Sequence, residues 1–182
     1  LFNRIFEEEF MNFSDHEERI RKAAGDLFAP YVFVDTSKQE LHVVNKGKIT
    51  RSFPVSTSRN GVGNREGSFQ TPRGVHRIRE KYGAGAPLGR VFRDREDTGE
   101  DWPIGQPGEN LILTRILRLE GLEEGVNKGP GIDSYERYIY IHGANNEARI
   151  GAPQSQGCVC MKNADVAALF DAVEEGTVVV ID

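Results

Sequence analysis

The sequence predicts a mainly β (α+β) fold, a β-sandwich or open barrel with one late helix and a helical arm at the N-terminus. Three observations lead there. Short runs of β-branched and aromatic residues, separated by turn residues, recur from Tyr31 to Ile181. A late stretch beginning at Asn163 has Val166, Leu169, Phe170 and Val173 on one helical face. The first 30 residues carry helical instead of alternating periodicity.

In the arm, Phe2, Ile5, Phe6, Phe10 and Phe13 fall at helical spacing among Glu7, Glu8 and Glu9. Ser14-Asp15-His16-Glu17 reads as a capping box that starts a second helix, and Gly25 ends it. The arm is either a brace packed on the main domain or the stub of a partner-binding or membrane-proximal segment; the brace is the simpler reading. We therefore divide the chain into an arm, residues 1–30, and a main domain, residues 31–182.

Tyr31 to Val34, Glu40 to Val44 and Ile49 to Val55 read as strands, with Asn45-Lys46-Gly47-Lys48 as a turn, which makes a β-meander. The segment 58–73 is rich in Gly, Ser, Arg and Asn. Gly61, Gly63 and Gly67 miss the G-x-G-x-x-G spacing and precede no helix, which excludes a nucleotide loop. Gly74 to Glu80 and Leu111 to Leu119 form further strands. Between them runs a long polar stretch containing Arg93-Asp94-Arg95-Glu96-Asp97, read as a solvated loop and as the wall or flap of a groove. Arg137 to Ile141 alternates up to His142-Gly143, Asn163 caps the late helix, and Thr177 to Ile181 closes the sheet.

The 182 residues fit one domain with an added helical segment. Hydrophobic residues at 38% and charged residues at 28% describe an ordinary soluble protein, neither disordered nor membrane-embedded. A net charge of −5 argues against nucleic acid as a partner. No stretch reaches the roughly 18–20 apolar residues that span a bilayer. The first residue is Leu1, not Met, which leaves room for an export signal upstream. Two cysteines cannot staple a domain of this size. A bridge between Cys158 and Cys160 on one extended strand would be strained. The pair also lacks the further ligands a metal needs, so neither metal nor other cofactor is expected.

A cysteine nucleophile needs a base to make its thiolate and N–H donors for the oxyanion that follows. Ser155-Gln156-Gly157-Cys158 has this character, since Gly157 lets the backbone turn tightly and its N–H and that of Cys158 converge. His142, at a strand end, is the candidate base, and residues 143–154 can loop the chain back. A buried apolar cysteine and a structural histidine remain the plainer alternatives. His16, His42 and His76 lie in a helix start and on alternating strands and make weaker candidates.

Ile141-His142-Gly143, Gly151-Ala152-Pro153, Ser155-Gln156-Gly157-Cys158-Val159-Cys160-Met161 and the following Asn163, Asp165, Val166 and Leu169 resemble the signature of the L,D-transpeptidase (YkuD-type) catalytic domain. Upstream, Val34-Asp35, Gln39-Glu40-Leu41, Pro54 to Ser58 and Thr71 to Ile78 match as well, so the resemblance covers roughly residues 31–182. It implies a cysteine transpeptidase of the periplasm or cell wall, acting on peptidoglycan stem peptides and open to carbapenem-type inhibitors. Cys158 would be the nucleophile and His142 the base, oriented by the carbonyl of Gly143. Ser155, Gln156, Gly157, Tyr140 and Arg149 would serve the oxyanion or substrate. Hydrolysis of the same bonds, or a weakened cell-wall binding domain, are the alternatives. Two positions depart from the family: Gln156 stands where histidine is frequent, and Cys160 where many members carry arginine. The departure at Cys160 leaves three readings open: an altered acceptor, a weakened enzyme, or a compensating arginine such as Arg149.

Overall fold

The protein is described by a computed structural model covering residues 13–25 and 29–182. The expected helix over Phe2 to Phe10 lies outside the described residues. Helix α1 spans Ser14–Ala24. The strands are β1 (Tyr31–Asp35), β2 (Glu40–Asn45), β3 (Lys48–Ser56), β4 (Gly74–Tyr82), β5 (Arg90–Arg93), β6 (Glu96–Asp101), β7 (Ile112–Gly121), β8 (Tyr140–Gly143), β9 (Val159–Met161) and β10 (Val178–Ile181). Helix α2 spans Asn163–Ala172, between β9 and β10.

The strands lie in the order β4-β10-β1-β2-β3-β9-β8-β7, and β7 also pairs with β4, so these eight close on themselves as a barrel-like sheet. Closure works because β7 is long. Its second half, Ile116 to Gly121, pairs with β4, while Ile112 and Leu113 carry β5 and, beyond it, β6. The predicted meander is present as β1, β2 and β3, with Lys46 and Gly47 both at positive φ in their two-residue turn.

One core cluster fills the sheet's concave side. Val32, Val34, Leu41, Val55, Ile78 and Leu117 meet Val166, Leu169 and Phe170 of α2 there. β1 is buried on both faces, which is why it reads as an unbroken apolar run. Its Tyr31 and Phe33 turn the other way and pack with Phe13 and Ile20 of α1. Arg19 and His16 of α1 reach the Asp182 carboxylate at 2.5 and 3.3 Å.

The structure departs from the sequence reading in four places. The charged stretch 93–97 is the tip of the β5–β6 hairpin, turned by Asp94 and Arg95 at φ 48° and 71°. It read as loop because β6 is an edge strand with no buried residue, so no alternation marks it. The strand drawn from Arg137 begins only at Tyr140, since Arg137 and Tyr138 sit in turns whose N–H groups bond Asp133 and Tyr135 carbonyls. Phe13 is the N-cap of α1 and Ser14 its first helical residue, one position inside the expected box. Lys162 is the N-cap of α2; the Glu147 carboxylate instead accepts both the Asn163 N–H and its side-chain Nδ2, each at 2.7 Å.

At the other end of α2, Lys81 Nζ donates to the carbonyls of Phe170 at 2.7 Å and Val173 at 2.5 Å and lies over the Phe170 ring. A cation at a helix C-terminus satisfies orphan carbonyls and opposes the negative end of the dipole. We expect Lys81→Met to lower the unfolding free energy by about 1–2 kcal/mol, read from the midpoint of urea denaturation at an unchanged slope.

Candidate active site

β8 and β9 run side by side and parallel, with Ile141 opposite Val159, His142 opposite Cys160 and Gly143 opposite Met161. Side chains alternate along a strand. Ile141, Val159 and Met161 enter the core, so Tyr140, His142, Cys158 and Cys160 share the opposite face. The loop joining the strands is tied down along its length. Gly151 N–H bonds the Val55 carbonyl, and the N–H groups of Gln154 and Ser155 both bond that of Thr57. Just before β9, Ser155 Oγ donates to the Cys158 carbonyl at 2.6 Å and accepts the Gly157 N–H at 3.2 Å. Gly157 turns the chain there at φ 128°, a conformation open to glycine alone at low cost.

A cavity of about 210 Å³ opens on this face. His142, Cys158, Cys160, Ser155 and Gln156 line one side, and Asn110 to Ile112 form the facing wall. The expected flap between β4 and β7 thus reaches the site through its last residues.

Within the site, the His142 ring is buried and its Nδ1 lies 2.9 Å from the Gly143 carbonyl. A carbonyl only accepts, so Nδ1 carries the proton and Nε2 presents its lone pair. Gly143 itself has no room for a side chain, because a Cβ would meet Asn163 Oδ1 and the Leu113 carbonyl at 2.6 and 2.7 Å. Nε2 faces Cys160 Sγ at 3.7 Å. The half-buried Cys158 Sγ accepts the Tyr140 N–H at 3.4 Å and lies 3.7 Å from the Tyr138 carbonyl.

Burial dominates the protonation of all three groups. It lowers the pKa of His142, against the pull of the Gly143 carbonyl. Burial pushes the Cys158 thiol up to about 11, while the Tyr140 N–H and the Arg137 charge pull it down. Cys160 is pushed up as well, by burial and then by Cys158. The pair expected to give a low-pKa thiolate is therefore a neutral thiol and a neutral imidazole, with the imidazole turned to Cys160.

Other expected residues fall as follows. Gln156 is exposed at the cavity rim. Tyr140 reaches the site through its backbone N–H, while its hydroxyl accepts from Arg95 at 3.0 Å. The Gly157 N–H is taken by Ser155 Oγ, so of the two expected oxyanion donors Cys158 N–H is the one without a partner among the described residues. Arg149 is a correction: it is exposed, outside the cavity, and touches the site only through its backbone carbonyl, which accepts from Ser56 Oγ. It closes the 3-10 turn Glu147–Arg149, none of whose residues is buried. His42 bonds Ser52 Oγ and His76 sits fully buried between Gly74 O and Ser134 Oγ, both inside the fold. Among the described residues no group of three or more His, Cys, Asp or Glu could hold a metal ion.

Two further residues shape the site, Asn145, which the sequence did not mark, and Asn163, which it marked only as a helix cap and a motif position. Asn145 is buried at the cavity wall, where its Oδ1 accepts the Leu111 N–H at 3.2 Å. Asn163 bonds Thr114, Ala144 and Glu147 at once and so holds the chain just after His142 against α2.

Residues 29–181 match the sequence model of YkuD, the L,D-transpeptidase catalytic domain. The chain belongs to this family. It is similar to the probable L,D-transpeptidase ErfK/SrfK of Escherichia coli strain K12, 33% identical over 100 residues, covering 52% of this chain and 32% of that protein. It is also similar to the putative L,D-transpeptidase YqjB of Bacillus subtilis strain 168, 27% identical over 152 residues, covering 84% and 70%. The fold is that of L,D-transpeptidase 3 from Mycobacterium tuberculosis, solved with a faropenem-derived adduct, at TM-score 0.52 and 16% identity over 85% of this chain and 60% of that one. The chain spans about a third of the E. coli relative's length.

For this L,D-transpeptidase-family domain the sign of the Cys158 shift has a direct readout. Burial favours the neutral thiol, so the reactive thiolate fraction is small at neutral pH and grows as pH rises toward about 11. Alkylation of Cys158 by iodoacetamide, followed by peptide mass spectrometry, should climb roughly tenfold per pH unit from 7 to 9, with no plateau in that range.

Proposed function

We propose that the chain is a cysteine acyltransferase acting on peptidoglycan stem peptides. The observation that carries this reading is the shared face: His142, Cys158 and a partnerless Cys158 N–H gather at one cavity, within a chain of the L,D-transpeptidase family. Cys158 Sγ attacks the carbonyl at the L-centre of the diamino acid in a tetrapeptide stem. The S–C bond forms, His142 Nε2 takes the thiol proton, and the oxyanion rests on the Cys158 N–H. Collapse breaks the C–N bond to the terminal D-alanine, and the proton on His142 passes to the leaving amine. An acceptor amine then attacks the thioester, giving its proton to His142, and the thiolate leaves to be reprotonated.

In the free protein the two groups are not yet engaged, since Nε2 faces Cys160 and Sγ faces Tyr138 and Tyr140. Engagement needs rotation of the Cys158 side chain, and catalytic hydrogen bonds commonly tighten only with substrate present. Gly143 orients the imidazole through Nδ1, the third role of a triad. The substrate sets the location of work, outside the cytoplasmic membrane where the wall is built. A penem adduct on a structural relative makes carbapenems and penems suitable probes.

Cys160 favours a second reading. A thiol at the position where the family resemblance expects a guanidinium gives no fixed charge for a substrate carboxylate, as in a weakened, wall-binding domain. The test is mass spectrometry after imipenem, paired with tetrapeptide exchange with and without an amine acceptor. Cys158→Ser should lose both adduct and exchange by at least 1,000-fold, and Cys160→Ser by less than about tenfold. Stem peptide shortened by hydrolysis, unchanged by added amine, would identify an L,D-carboxypeptidase. An adduct on Cys160 would move the nucleophile, and no adduct on folded, reduced protein would leave the binding domain.

A further inference from the structure

Arg137 stands one loop carbonyl away from Gly157, the neighbour of Cys158, and nothing in the sequence singled it out. Its guanidinium is half-buried and donates to three backbone carbonyls, Gly63 and Asn64 through Nη1 at 3.2 and 2.9 Å and Gln70 through Nη2 at 2.6 Å. All three acceptors are neutral. Among the described residues Arg137 has no carboxylate at ion-pair distance; the exposed Glu66 acts on it only from further off. A guanidinium held by neutral dipoles keeps its full charge, and partial burial keeps that charge from being screened.

Two contacts link this charge to the nucleophile. Arg137 precedes Tyr138, whose carbonyl lies 3.7 Å from Cys158 Sγ. The Gln70 carbonyl held by Nη2 also lies beside Gly157, 3.4 Å from where a Cβ would stand. The other groups around Cys158 do not supply such a charge. His142 and Cys160 on its own face are buried and neutral. Arg118 is paired with the Glu80 carboxylate at 3.2 Å, and Arg95 donates to the Tyr140 hydroxyl.

We propose that Arg137 is a positioning residue of this site, supplying the fixed positive charge beside Cys158 that Cys160 at the usual arginine position does not, and clamping the 61–71 loop against Gly157. Consistent with this, Arg137 lowers the Cys158 pKa against burial, and Cys158 in turn raises that of Arg137. The inference rests on Cys158 as the reacting thiol, not on any particular peptide substrate.

The experiment is site-resolved iodoacetamide labelling of Cys158 between pH 7 and 10 in the wild type, Arg137→Met and Arg137→Lys, with circular dichroism as a check on folding. Loss of the charge should displace the whole rate–pH line by about one unit, which slows alkylation at pH 8 about tenfold in Arg137→Met. Lysine keeps the charge but cannot span three carbonyls, so Arg137→Lys should stay within about threefold of wild type. A folded Arg137→Met that labels at the wild-type rate overturns the proposal. So does an Arg137→Lys as slow as Arg137→Met, because bracing alone would then account for the effect. Should Arg137→Met not fold, Arg137→Lys decides: within threefold supports the charge, and tenfold slowing overturns it. Labelling that follows the expected pattern in a protein that transfers no stem peptide would uphold Arg137 and sink the transpeptidase reading.

Discussion

The parallel pairing of β8 with β9 is the constraint on which the rest of this structure depends. The two strands are only four and three residues long, and by themselves they would not hold a register. They hold it because β7 flanks one side and β3 the other, inside a sheet that closes through β7 and β4. A slip of one residue would turn His142 and both thiols into the core and bring Ile141 and Val159 to the cavity. The Glu147–Asn163 contacts guard against that slip from the other end, by fixing the chain after His142 to the start of α2. Fold and site are in this sense one arrangement, since the residues that fill the core set where the reactive ones stand.

Burial at this face then sets the electrostatics. A site shielded enough to hold an imidazole by Nδ1 also disfavours charge on any group within it. Its resting form is therefore neutral, with the proton left on sulfur. What offsets the cost of forming thiolate must come from fixed dipoles and charges that need no reorganisation, here the Tyr140 N–H and, in our proposal, the Arg137 guanidinium. The thiol at 160 stands where the family resemblance led one to expect an arginine. It is buried against the imidazole and offers no compensation of its own.

Much of this was legible in the residues. Alternation found β1, β2, β4, β7 and β10 because each of these strands has a face or both faces buried, while β3, exposed along most of its length, was marked by the turn before it. Helical spacing found α2 for the same reason. The β5–β6 hairpin was missed because β6 buries nothing, and without burial hydrophobic periodicity has no cause. The extended reading of Arg137 failed because its side chain bonds three carbonyls of a loop some 70 positions earlier, an attachment local pattern cannot register. Arg149, one of the open answers to the missing charge, is exposed, and exposure of a single charged loop residue is not written in its neighbours.

The sequence by itself determined the element types, the turn at Gly157 and the ordered motifs that carry the family, because these follow from side-chain periodicity and local backbone preference. Only the tertiary structure decided which thiol the imidazole faces, which arginine stands near Gly157 and Cys158 and which N–H groups are already spent. Those outcomes depend on distances between strands and loops far apart in the chain, and on burial, which a residue acquires only when the rest of the molecule closes around it.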